Sequence, residues 1–388
     1  MITEPVRARL AELPDEDLPA YLYDLTALAE QVGRVRDCLP DEVELYYAAK
    51  ANPAEPVLRV LAGFVTGIEV ASAGELAHVR AACPDVPLAF GGPAKSPAEI
   101  GAALAAGAHR FHVESEHELR LLCALAERAD ARPEVLLRLN FPIGVGDSVA
   151  LAMGGRPSPF GLDPGAVADC LRIVAGQRRV RVAGVHAHLA SGLDATGQLA
   201  TARRIADAAR NTGIPLRELN IGGGMQVDYG RPADRFDWAG FGAGLKELAA
   251  DVPDTRLRIE PGRSLTAYCG WYAATVADVK HSQGKAFALI RGGTHHFRTP
   301  AAKSHSHPFE IIHNGQWSYG WSRPTARDEP VTIAGQLCTP KDVLARDIPV
   351  ELLRAGDRVV FGLAGAYAWN ISHHEFLMHP RPGFHYLG

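Results

Sequence analysis

A lysine at the end of a short apolar strand is the first group in this chain with chemistry to offer. Leu45-Tyr46-Tyr47-Ala48-Ala49 runs into Lys50, and Ala51-Asn52-Pro53 follows. Proline disfavours helix at the residue before it, so the strand breaks there. An amine at a strand mouth can lose part of its hydration, and a desolvated amine is neutral enough to attack a carbonyl. Alone, such a lysine is more often a solvated surface group. Four later strand ends add to it. Leu137-Arg138-Leu139-Asn140 delivers Arg138 and Asn140, and Gly184-Val185-His186-Ala187-His188 delivers two imidazoles and leads to Ser191-Gly192. Asn220-Ile221 runs into Gly222-Gly223-Gly224, and a further strand closes on Glu260-Pro261-Gly262-Arg263.

Three successive glycines let backbone N–H groups approach a phosphate closely. A histidine ring can lie flat against an aromatic ring, and a carboxylate can pair with a protonated ring nitrogen. Together these groups suit a phosphorylated pyridine ring beside an amine, which describes pyridoxal phosphate on a lysine. Each feature alone has a plainer reading. The glycines can be a simple turn, and Glu260 to Arg263 can be a turn with a surface ion pair. His186 shares its strand parity with His188 but lies further from the strand end, and it reads as structural.

Such a set needs a scaffold that brings many strand ends together. Residues 44–260 alternate short apolar strands, ending near Ala49, Val70, Phe90, Val113, Leu139, His186, Ile221 and Ile259, with alanine-rich amphipathic stretches at 74–82, 97–106, 116–129 and 199–211. Eight strands with intervening helices is the count of a (β/α)8 barrel, whose active site lies at the C-terminal strand ends and which commonly holds phosphate near its last two strands. A doubly wound open sheet is the alternative, and a span of about 220 residues fits the barrel better. The pattern changes near Thr266 to strand-like segments with Gly/Pro turns and little helix. Residues 18–23 are strand-like too. A barrel over 26–265 and a β-rich domain from 1–25 and 266–388 are therefore expected, with 292–307 as a long loop of the kind that often carries function.

Composition narrows the partners. The 388 residues are 47% apolar and 22% charged with a net charge of −4, as in a soluble globular protein. No basic stripe suggests nucleic acid, and the apolar runs are too short and interrupted for a membrane span. The first eighteen residues are acidic and broken, unlike a signal peptide. Cys38, Cys83, Cys123, Cys170, Cys269 and Cys338 are widely spaced and form no CxxC. That spacing argues against a zinc cluster or a disulfide framework and for a reducing cytoplasm, with no metal expected. All but Cys338 read as inert core residues.

At this point the chain resembles the fold-type III pyridoxal-phosphate decarboxylases, the ornithine, arginine and diaminopimelate decarboxylase group. The likeness covers nearly the whole chain. It is carried by Tyr47 to Asn52, Glu69 to Glu75, Ser158-Pro159-Phe160-Gly161, His188 to Gly192, Gly222 to Gly224, Glu260 to Arg263, Cys338 and Gly365-Ala366-Tyr367. The resemblance implies an alanine-racemase-like barrel with a C-terminal β-rich domain and a head-to-tail homodimer with shared active sites. It implies that Lys50 carries the cofactor as a Schiff base and that His188 stacks on its ring. Ser191, Gly223, Gly224, Gly262, Arg263 and Tyr367 would hold the phosphate. Glu260 would pair with the pyridinium nitrogen, where related racemases have an arginine. Cys338 would protonate the carbanion left by decarboxylation, in the site of the partner subunit.

Departures from the pattern bear on the substrate. After the cysteine, diamine-forming relatives carry an acidic residue that reads a distal amine. Here Thr339 follows, in Leu337-Cys338-Thr339-Pro340-Lys341-Asp342, and Pro159 stands where a lysine is usual. Gly292 to Arg298 and Trp369 to Met378, with Cys338-Thr339-Pro340, resemble the decarboxylases of carboxylate siderophore assembly, of the staphyloferrin B type. That branch decarboxylates a citryl-diaminopropionate conjugate to a citryl-ethylenediamine unit. A small-molecule substrate rich in carboxylates is thus expected, met by charge-assisted hydrogen bonds from His295, His296, Arg298, Lys303 and His305, with Arg138 and Tyr367 also in substrate contact. The alternatives are packing of the loop in a dimer interface and a structural role for His373 and His374. Other substrates remain: diaminopimelate, ornithine or lysine, or a carrier-protein-bound glutamyl group. A catalytically dead regulator is a further alternative, weakened by the presence of both Lys50 and Cys338.

Overall fold

The computed structural model describes residues 1–142, 151–152 and 154–388. The chain divides into two compact units, one of residues 29–227 and 235–265 and the other of 1–28, 228–234 and 266–388.

The first unit is a closed barrel of eight parallel strands, Val43–Ala48, Gly67–Val70, Leu88–Phe90, Arg110–Val113, Glu134–Arg138, Arg181–His186, Glu218–Asn220 and Arg256–Ile259, which follow one another around the ring in chain order. Helices between the strands begin where the sequence supplies a cap. Ser72 and Ser115 each accept the N–H three residues on, Ser96 forms a reciprocal capping box with Glu99, and Asp194 and Asp237 cap the two long helices Ala195–Arg210 and Trp238–Asp251. Each cap satisfies donors that the first helical turn leaves unpaired. The helices turn an apolar stripe inward: Glu55–Ala62, for example, buries Val57, Leu58 and Leu61.

Residues two apart on a strand face the same side, so the barrel interior is layered. Arg110, Glu218 and Arg258 lie one layer below His112, Asn220 and Glu260 on the same three strands. In the lower layer Arg258 donates to Glu44 at 2.6 Å and pairs with Glu218 at 3.2 Å, while Arg110 donates to Glu218 at 2.8 Å and pairs with Glu134. The Arg258 guanidinium lies 4.1 Å from the centre of the Tyr46 ring.

The second unit is an eight-stranded sheet. Its central strand, Gly270–Ser282, pairs antiparallel with Ala20–Asp24, Lys285–Ile290 and Arg358–Phe361. Ala20–Asp24 continues the sheet by parallel pairing with Gly383–Leu387. The sequence patterns did not signal the strand Val343–Arg354 or Gly383–Leu387. Nor did they signal the first helix, Glu4–Glu12, which buries Val6 and Leu10 in a cluster with Leu22, Trp271 and Val360. The stretch 292–307 is not wholly a loop, since Thr299–Lys303 is helical. Among the described residues no helix is long and apolar enough to cross a membrane.

Candidate active site

Lys50 sits in the short turn Ala49–Ala51, directly after the first barrel strand. The neighbouring strand is registered so that Ala48 faces Glu69, and the Lys50 ammonium is ion-paired with the Glu69 carboxylate. The lysine side chain is 46% exposed and the glutamate 6%. The amine has thus lost part of its hydration. The strand mouth leaves Lys50 half in solvent, and a buried carboxylate holds it in place. Sequence reasoning gave Glu69 no role. Its signals were its membership of the Glu69 to Glu75 motif and its place at the end of the second strand, next to the strand that delivers Lys50.

Glu260 follows the last barrel strand and is buried. Its Oε1 accepts from Asn220 Nδ2 at 2.7 Å. His112 Nε2 lies 3.5 Å from the same carboxyl group, as does His186 Nε2. Burial first, then the charge of Glu69, push the Glu260 carboxyl up to about 7, against the pull of Asn220, Lys50 and Arg258. The group therefore holds its proton near neutrality. Burial also drives His112 and His186 well below the usual imidazole range, with Arg258 the next cause for His112 and the His112 ring the next for His186. The two rings stack at 4.2 Å with 15° between their planes. His186 is thus buried, and it lines the floor of the site together with His112, which sequence reasoning missed.

Two histidines and a glutamate have the composition of a metal centre, and their ligand atoms lie within 4.8 Å of one another. Stacked rings occupy separate, nearly parallel planes. A metal ion bound by imidazole lies near the plane of each ring at about 2.0–2.1 Å, and no single point meets that condition for both.

His188 stands beside the glycine turn. Gly223 N–H donates to His188 Nδ1 at 3.2 Å, which makes Nδ1 the acceptor and puts the ring proton on Nε2, facing Ser191 Oγ at 3.4 Å. Burial, then Arg138 and Lys50, lower this imidazole to about 3, so the ring is neutral. A side chain at Gly222, whose φ is +72°, would come within 2.7 Å of the His188 ring. One at Gly223 would come within 2.4 Å of the Glu260 carbonyl oxygen. The turn therefore tolerates no Cβ at either position. Gln198 on the following helix donates to the Gly223 carbonyl at 3.2 Å. Gly262 is buried and Arg263 half-buried, at the start of the short helix Arg263–Thr266.

Arg138 is buried and compensated. It donates to Glu114 Oε1 at 2.7 Å, and Glu114 Oε2 accepts from Gly161 N–H at 2.9 Å. Its guanidinium lies 5.1 Å from the Phe160 ring centre. The Ser158 to Gly161 motif is thus tied to the strand ends through Glu114. Asn140 instead fastens a loop, accepting from Gly155 N–H at 2.7 Å.

The remaining expected residues belong to the sheet-bearing unit. Cys338 is exposed on a turn that Asp342 secures by accepting from Leu337 N–H at 2.8 Å and Thr294 N–H at 2.6 Å. Tyr367 is half-buried with φ at +49°, a strained value for a non-glycine residue, and its carbonyl accepts from Thr299. Arg298 is exposed. The histidine expectations need correction. His296 is buried, with Nδ1 at 3.2 Å from the Tyr272 hydroxyl and Nε2 at 2.9 Å from the Pro380 carbonyl, and burial lowers it to about 3. His295 is buried too, lowered to about 4 by burial and then by His379. Both rings are closed off from solvent, so Arg298 is left as the exposed cation of that motif. His305 stacks on Tyr229 at 4.6 Å and His374 on Trp369 at 3.6 Å, while the Lys303 side chain lies outside the described residues.

The barrel residues fit pyridoxal phosphate. A proton-bearing buried carboxyl suits a pyridine nitrogen, a neutral imidazole beside it suits a ring face, and a turn too tight for any Cβ suits a phosphate.

Comparison with known proteins agrees. The pyridoxal-dependent decarboxylase family, pyridoxal binding domain, matches residues 25–267. A Staphylococcus aureus decarboxylase of 2-(L-alanin-3-ylcarbamoylmethyl)-2-hydroxybutanedioate is 37% identical over 374 residues, covering 95% of this chain and 93% of that protein. A decarboxylase of an L-glutamyl acyl-carrier protein from Niallia circulans is 31% identical, covering 94% and 88%. Diaminopimelate decarboxylase from Helicobacter pylori, solved with L-lysine, shares the fold with a TM-score of 0.85 at 22% identity, over 98% of this chain and 94% of that one. The chain belongs to the pyridoxal-dependent decarboxylase family and is a pyridoxal-phosphate-dependent amino acid decarboxylase.

Proposed function

We propose that this enzyme decarboxylates a citryl-diaminopropionate conjugate to a citryl-ethylenediamine unit in carboxylate siderophore assembly. The observation that carries the reading is the 37% identity, along nearly the full length of both chains, to the Staphylococcus aureus enzyme. A 2-hydroxybutanedioate with a carbamoylmethyl arm is a citryl amide, and an alanin-3-yl group on its nitrogen is a diaminopropionate. Two residues support the choice. Thr339 puts no charge beside Cys338 for a distal amine, and Arg298 offers an exposed cation to a carboxylate-rich acyl group.

In this reading Lys50 carries the cofactor and His188 lies against its ring. Ser191, Gly223, Gly224, Gly262, Arg263 and Tyr367 hold the phosphate, and Glu260 keeps a proton at the ring nitrogen. The bound pyridoxal phosphate supplies an electron sink for the carbanion left when CO2 departs. Cys338 returns a proton to that carbon, each subunit lending its cysteine to the other in a head-to-tail homodimer. Six cysteines, free among the described residues, suit a cytoplasmic enzyme. Arg138 serves the substrate through its position beside Glu114, and Arg298 through its charge.

The test is CO2 loss followed by mass spectrometry across lysine, ornithine, diaminopimelate, citryl-diaminopropionate and a carrier-bound glutamyl group. Turnover of citryl-diaminopropionate alone is the expected result. Turnover of a free diamino acid would overturn the substrate and leave the decarboxylase standing. The carrier-bound glutamyl group is a second reading, favoured by the 31% identity to the Niallia circulans enzyme. Cys338→Ala should slow turnover and misplace the returning proton, and unchanged product protonation in deuterium oxide would refute its acid role.

A further inference from the structure

Asn220 is fully buried and closes the seventh barrel strand. Its amide orientation is fixed by its partners. Oδ1 accepts from the Gly222 N–H at 2.9 Å, and a backbone N–H can only donate, so Nδ2 is the atom facing Glu260 Oε1 at 2.7 Å. The glycine turn and the carboxyl are also joined through the backbone, where Glu260 N–H donates to the Gly222 carbonyl at 2.9 Å. The other polar neighbours of Glu260 are looser, since both histidines lie 3.5 Å away. Asn220 Nδ2 is itself 3.4 Å from His112 Nε2, so the same amide also touches the stacked rings.

We infer that Asn220 is a positioning residue that couples the two ends of the cofactor cradle, its oxygen ordering the phosphate-side glycine turn and its nitrogen fixing the carboxyl group that meets the ring nitrogen. This rests on the reading of the cradle given above. It follows that the two ends are not independent: loss of the whole amide disturbs phosphate grip and ring protonation together. Asn220→Asp separates them. Aspartate keeps an acceptor for Gly222 but replaces the donor to Glu260 with a second acid, which shares the Glu260 proton and holds it to higher pH. Asn220→Ala removes both halves.

The test uses the full-length protein, stripped of cofactor and reloaded. Two quantities are read: the affinity of the apoprotein for pyridoxal phosphate and the pH midpoint of the bound cofactor's absorbance. For Asn220→Asp, the affinity should stay within a few-fold of wild type while the pH midpoint rises by about a unit or more. For Asn220→Ala, the affinity should also fall about tenfold, as expected for losing a buried hydrogen bond. Should the alanine variant not fold, the near-isosteric aspartate variant decides alone, because its shifted midpoint is not something a general loss of stability produces. Wild-type affinity and midpoint in both variants, or in the aspartate variant if it alone folds, would overturn the inference. A wild-type apoprotein that binds no pyridoxal phosphate would overturn the cradle reading instead, and the inference with it.

Discussion

Two polar layers lie one above the other inside this barrel, on the same three strands and two residues apart. Below are Arg110, Glu218 and Arg258; above are His112, Asn220 and Glu260. The lower layer matches charge with charge. Burial works against the Glu218 carboxylate, but the hydrogen bonds of Arg110 and the charge of Arg258 hold it below the usual range. In the upper layer each cation is replaced by a neutral or acidic group. Glu260 has an amide and two neutral imidazoles around it, and burial pushes it up to about 7. The two buried carboxyls therefore behave oppositely, through the cations beside Glu218 and the heavier desolvation of Glu260. A layer of paired charges holds its carboxylate ionised, while a layer whose acid meets an amide and neutral imidazoles keeps a proton available for chemistry.

The sharpest way to break the contrast is in the lower layer. Arg258→Leu leaves Glu44 and Glu218 facing each other without their shared cation, and breaking a buried pair from one side costs about 3–5 kcal/mol. Urea unfolding should show a loss of that size, with any remaining folded enzyme still able to bind cofactor. In the upper layer the pattern reverses. Glu260→Gln should reduce decarboxylation roughly 10²–10³-fold, the effect of removing one preorganised electrostatic partner, while stability at neutral pH changes by no more than about 1 kcal/mol. If the Glu260→Gln protein unfolds as readily as the Arg258→Leu protein, the two layers do not differ as described.

The His188 imidazole gives a smaller, pH-dependent effect. His188 is lowered to about 3, so the folded protein binds its proton less tightly than the unfolded chain does. Its contribution is fully present above about pH 6.5 and is lost as pH falls from there toward 3. Acid unfolding of His188→Gln should therefore show a shallower pH slope, by at most about 1.4 kcal/mol per pH unit. An unchanged slope would mean that the ring is not held neutral.

The strand ends were legible in the sequence because their signals are local. Glycine runs, a Pro-broken strand and a two-residue or 3.6-residue period each declare themselves within a few positions. Lys50, His188, Gly222 to Gly224 and Glu260 were found that way, and the strand ends at Val70, Phe90, Val113, His186 and Ile259 agree with the structure. Long-range partners were not legible. Glu69 matters through registry with the strand before Lys50, and Asn220 and His112 through closure of the barrel around Glu260. Those relations span 19 to 148 residues of sequence and leave no local mark. His295 and His296 show the converse error. A Gly/His-rich stretch looks solvated, but the sheet-bearing unit buries both rings and turns His296 toward Tyr272 and Pro380.

The most direct test of the contrast between layers is the unfolding free energy of cofactor-free wild type and Glu260→Gln, measured from pH 5 to 8. A carboxyl raised in the folded state stabilises below its unfolded value near 4.5 and loses that contribution as pH rises through its folded value. The predicted advantage of wild type over the variant therefore shrinks by about 1.4 kcal/mol per pH unit up to about pH 7 and is flat above. An advantage that stays constant or grows with pH would show that Glu260 is held ionised, as Glu218 is, and would contradict the assignment of the upper layer as the proton-holding one.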